Sequence, residues 1–137
     1  GLLPIGPARQ RMVKEPHGWI LGLPLTEADA GASPLVVWEG SHTLLRAALR
    51  QALAPHPPES WGEVDLTAAY AEARRAVFRD CRRVELPARP GEATLLHRLT
   101  LHGVAPWAAG ARAAPEGRII AYFRPQLPDV ASWLTRP

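Results

Sequence analysis

Cysteine, lysine and long apolar runs are nearly missing from this 137-residue chain, and each shortage excludes something. A single cysteine, Cys81, rules out an intrachain disulfide and a multi-cysteine zinc cluster, and fits a reducing cytoplasm. No apolar run approaches the ~20 residues that a membrane-spanning helix needs, so no membrane contact is expected. No secretory signal is visible either, since Arg9, Arg11 and Lys14 precede no apolar core or cleavage site. The familiar zinc-protease, hydrolase-elbow, Walker and dinucleotide signatures are all missing. Dense basic runs are missing too. Sixteen basic and thirteen acidic residues alternate, the formal charge is only +3, and few aromatics interleave with the arginines. A nucleic-acid binder is therefore not expected.

What remains is an ordinary globular composition, 47% hydrophobic and 21% charged. The length suits one domain over residues 1–137, or a piece of one. The chain opens on Gly1 rather than Met, which points to processing or to a fragment.

Residues 1–16 are punctuated by proline and glycine and read as a loop or short edge strand. HGWILGLPL (17–25) and PLVVW (34–38) are short apolar runs, read as strands on either side of a polar turn. Leu45, Ala48, Leu49 and Ala52 then recur at helical spacing, with Ser41 placed as an N-cap. A Pro-rich loop (54–64) leads to a second helix whose face is Leu66, Ala69, Tyr70, Ala73 and Val77, capped by Asp65 or Thr67. Strand signals return at 81–86, 93–97, 99–102 and 118–123, and the tail from Pro125 reads as extended. Strands, a helical insertion over 43–80 and more strands suggest a mainly β sandwich or jelly roll with helices on one side.

Five histidines are the natural candidates for chemistry. His97 and His102, five apart, would fall on opposite faces of one uninterrupted strand and so would not share a metal. His102 reads blandly as a backbone-bonded histidine where a strand leaves the core. The following Gly103 sharpens the alternative, because a residue without Cβ lets the chain turn at once and leaves the imidazole at the mouth of a sandwich. Arg118 opens the last strand and is either a surface charge or an inward clamp on a carboxylate. Arg124 has the same two readings. Gly40-Ser41-His42 is explained by a turn and a cap, and Trp107 is placed to line a pocket beside His102.

WILGLPLTEADAGASPLVVWEGSH, RPGEATLLHRLTLHGVAPW and GRIIAYFRP, in that order, resemble the phytanoyl-CoA dioxygenase family of Fe(II)/2-oxoglutarate oxygenases over most of residues 17–125. The resemblance implies a double-stranded β-helix (cupin-like jelly roll), incomplete at its N-terminus. It implies His102 as the distal iron ligand, Arg118 as the 2-oxoglutarate-binding arginine, and O₂ and a small molecule as substrates. The family's other two ligands come from a His-x-Asp or His-x-Glu motif. No histidine here has an acidic residue two places on. The expectation is that the sequence starts just after that motif, upstream of Gly1-Leu2-Leu3. The 16 residues from His102 to Arg118 also exceed the family spacing.

Two functions follow. One is a cytoplasmic oxygenase domain that oxidises a small molecule, with the His-x-Asp half of its iron site outside this chain. The other is a non-catalytic jelly-roll module that keeps the fold without the metal and serves binding or assembly.

Overall fold

The computed structural model describes residues 2–5, by their backbone, and 9–136. Strands β1 (Leu2–Ile5) and β2 (Gln10–Val13) form an antiparallel pair where the sequence suggested a loop or an edge strand. β3 (Trp19–Pro24) and β4 (Leu35–Trp38) follow the two apolar runs. Next come α1 (Ser41–Leu53), a 3-10 turn within the Pro-rich loop (Pro58–Glu63), and α2 (Thr67–Asp80). The second half holds β5 (Arg83–Leu86), β6 (Thr94–His97), β7 (His102–Val104), β8 (Ile120–Phe123) and α3 (Val130–Thr135).

The strands make two three-stranded sheets, both antiparallel, in the orders β6-β3-β8 and β5-β4-β7. Among the described residues, no helix is long and apolar enough to cross a membrane.

The tightest core does not lie between the sheets. It forms where α1 lays Leu45, Leu49 and Leu53, one helical face, against other elements. Leu49 and Leu53 meet Val13, Leu66, Leu99, Trp133 and Leu134. Leu45 meets Ala73, Val77 and Leu101. The 43–80 segment thus carries the core, and the short turn before β7 is bound into it through Leu99 and Leu101.

Four sequence expectations are corrected by the packing. Ser41 is not the N-cap of α1. That position belongs to Gly40, at φ +76°, a left-handed conformation that glycine adopts without Cβ strain. Ser41 is the first helical residue, fully buried, and its Oγ accepts the Leu101 N–H at 2.9 Å. The strand expected from Leu99 begins three residues later, since β7 starts at His102. His97 and His102 therefore lie on strands of different sheets rather than on one. The tail is not extended throughout, because Asp129 Oδ1 accepts the Ser132 N–H at 2.6 Å and caps α3.

Ser41→Ala removes the side-chain acceptor of the Leu101 N–H just before β7. The expected cost is about 1–3 kcal/mol, read as a lower urea midpoint. Thr43→Ala, at an exposed hydroxyl bonded to Gly40 O, should stay within about 0.5 kcal/mol of the parent.

Candidate functional site

Strand register decides which side chains look into the space between the sheets. Ile20 pairs with Leu96, and Gly22 with both Thr94 and Tyr122. Leu35 pairs with Val104, and Val37 with His102. Side chains alternate along each strand, and Ile20, Gly22, Thr94, Leu96 and Tyr122 from one sheet face Leu35, His102 and Val104 from the other. Together with Arg124 they line a cavity of about 250 Å³. Gly22 leaves room for the ring across it, since a Cβ there would stand 3.3 Å from Tyr122 Cε1.

His102 lies on β7, where its Nδ1 sits 2.8 Å from Thr100 O. That bond places the ring proton on Nδ1 and leaves Nε2 as a lone-pair donor, the state in which imidazole binds metals. Gly103 does not turn the chain. It is a strand residue opposite Val36, and a Cβ added there would meet nothing within 4 Å. Trp107 lies outside the cavity, half-exposed, with its indole N–H donated to Ala111 O.

Arg118 precedes β8 and shares the two-residue alternation of Ile120, Tyr122 and Arg124. It lines a narrow cleft of about 30 Å³ that has Gly22, Leu35, Thr94 and Tyr122 in common with the His102 cavity. Among the described residues Arg118 makes no ion pair. His102 and Arg118 thus open onto adjoining stretches of one trough. Arg124, the lesser candidate in sequence terms, walls the same cavity as His102, and its Nη1 stands 3.8 Å from Glu15 Oε2. The period-two spacing 118, 120, 122, 124 is a sequence signal that could have placed both arginines on one face, but the sequence reading did not use it.

Among the described residues, no group of three His, Cys, Asp or Glu side chains converges to hold a metal. His102 offers one ligand of the three that a facial Fe(II) triad requires. Among the described residues, the trough thus holds one oriented imidazole, with Arg124 in the same cavity and Arg118 in the adjoining cleft.

A second cluster went unnoticed in the sequence. The His42 and His97 rings lie 5.0 Å apart, and His97 Nε2 is 3.1 Å from Arg46 Nη2. Arg46 and the buried Arg98 both donate to Arg136 O, and Arg98 Nε donates to Trp133 O at 2.6 Å. These guanidiniums satisfy carbonyls at the end of α3, which have no partner within the helix. Burial, and then the charges of Arg98, His42 and Arg46, lower His97 to about 4. Its Nδ1 accepts the Leu99 N–H at 3.1 Å, so both ring nitrogens face N–H donors, which opposes a second ring proton. Burial above all also lowers His17, whose Nδ1 lies 3.0 Å from Glu15 O.

The chain matches no family model, no curated protein and no solved structure.

His97 titrates near 4 in the folded chain against an ordinary 6.5, so on acidification the unfolded state takes up its proton first. Its contribution is complete above pH 6.5 and is lost as the pH falls towards 4. Urea midpoints should fall across that window, and less steeply in His97→Gln. The His97 ring signals in NMR should stay those of the neutral form at pH 5.5.

Proposed function

We propose that this chain supplies the distal-histidine and arginine half of an Fe(II)/2-oxoglutarate oxygenase site on a jelly-roll scaffold, as in the phytanoyl-CoA dioxygenase family. The observation that carries the reading is His102, with Nδ1 held by Thr100 O and Nε2 left for a metal, on a trough that continues to Arg118, which makes no ion pair among the described residues. The strand order supports the scaffold. β3 to β8 are distributed between two antiparallel sheets that face each other across that trough, with repeated crossing from one to the other. That is the way of a jelly roll, which has eight strands in two sheets.

Iron bound there with 2-oxoglutarate and O₂ would supply the oxidation of an unactivated C–H bond. The chain's own residues have separate tasks. Thr100 O fixes the imidazole tautomer. Arg118 clamps the far carboxylate of 2-oxoglutarate through its planar fork. Ile20, Leu35, Leu96 and Tyr122 form the apolar walls that limit water near the reacting centre. On this reading the second imidazole and the carboxylate of the triad would have to come from outside the described residues. The second reading, a jelly-roll module without metal, draws on the same observation that no three ligands converge among them.

Anaerobic Fe(II) titration of the protein in its natural full length separates the two. The oxygenase reading expects tight binding that strengthens with 2-oxoglutarate and is lost in His102→Ala. It expects Arg118→Gln to weaken 2-oxoglutarate at least 10-fold while iron binding persists. Iron binding that ignores both 2-oxoglutarate and His102 would leave the metal-free module standing.

A further inference from the structure

Beyond the cosubstrate trough, we infer that Arg124 anchors the carboxylate of a small apolar acid in a second cavity, on the side of His102 away from Arg118. This deepens the oxygenase reading and rests on it for calling the ligand a substrate; the binding itself does not. The second cavity, about 240 Å³, has Ile20, His102 and Arg124 in common with the first, and Arg118 does not line it. His102 and Arg124 therefore stand where the two cavities meet, Arg98 adds a second guanidinium to the wall of the second, and Arg118 lies on the adjoining cleft.

The apolar walls of the second cavity are Leu45 and Leu49 of α1, Leu99 and Leu101 of the turn before β7, and Trp133 of α3, while His17 and Arg98 add polar groups. Its volume is below the range for drug-sized ligands. An apolar pocket with a few placed polar groups takes an apolar body and orients it by one polar head.

Arg124 is placed to read that head. It follows β8 on the inward alternation, and its ion pair with Glu15 at 3.8 Å is too long for a hydrogen bond. The guanidinium edge thus remains available for two-pronged recognition of a carboxylate. Trp133, 2% exposed, adds a buried indole N–H without a hydrogen-bond partner among the described residues. Glu15 lines the same cavity, so an incoming carboxylate would take its place beside Arg124. Arg118, with no carboxylate in ion-pair range among the described residues, suits the dicarboxylate 2-oxoglutarate instead.

Phenylacetate and phenylacetamide, titrated by calorimetry into the protein in its natural full length, test the assignment. The acid should bind at least 10-fold tighter than the amide and shift the Trp133 indole N–H resonance. Arg124→Gln, at an exposed position that should leave thermal unfolding unchanged, should weaken the acid at least 10-fold and leave the amide and 2-oxoglutarate alone. Arg124→Lys should recover part of the loss. Equal binding of acid and amide, no binding of the acid at all, or full binding by Arg124→Gln would overturn the proposal. So would a loss of 2-oxoglutarate binding in Arg124→Gln in place of Arg118→Gln. If His102→Ala and the parent bind the acid alike while neither binds iron, the anchor stands and only the oxygenase reading falls.

Discussion

The turn at residues 97–101 is held from several sides, and the rest of the site depends on it. Leu99 is buried against Leu49 and Leu53, and Leu101 against Leu45. Leu101 donates to Ser41 Oγ and accepts from Trp38 N–H. Arg98 reaches the end of α3, and Leu99 N–H returns to His97 Nδ1. A segment with its backbone bonded and its leucines in two core clusters has little freedom left. His102 follows directly, so its direction into the inter-sheet space is set by helix packing as much as by strand pairing.

That arrangement links the helical layer to any chemistry. Leu45 and Leu49 hold the turn through one part of their surface and wall the second cavity through another. α1 therefore shapes a binding surface while it stabilises the fold. A side chain is best positioned by neighbours that are themselves locked by packing, and here the helical insertion locks the turn that leads to His102. The inward faces of the two sheets are less tightly filled, since Val104 and Tyr122 remain half-exposed across the trough.

Much of the fold was legible where a pattern is local. The two helices were plain from their leucine and alanine spacing, and β3, β4, β6 and β8 from short apolar runs. α3 was missed although Asp129 and Ser132 stand at capping distance, because six residues leave too little periodicity to read. The strand expected from Leu99 was wrong for a tertiary reason. Leu99 and Leu101 look like strand residues but serve the helical core. Ser41 was likewise read as a cap from local preference, yet its hydroxyl is used 60 residues away. Of the site, His102 and Arg118 were singled out as candidates. The place of Arg124 beside the imidazole depended on how two sheets face each other, and the Arg46–His97–Arg98 cluster on where α1 and α3 dock.

Composition and spacing alone determined α1 and α2, most strands, and the lack of nucleotide and zinc-protease motifs. Those features follow from period and steric preference within a few residues of chain. Only the tertiary structure decided which histidine faces a cavity, which arginine shares it, and that the helical insertion is core rather than cover. Such outcomes come from contacts between residues tens of positions apart, where burial and hydrogen-bond satisfaction override local preference.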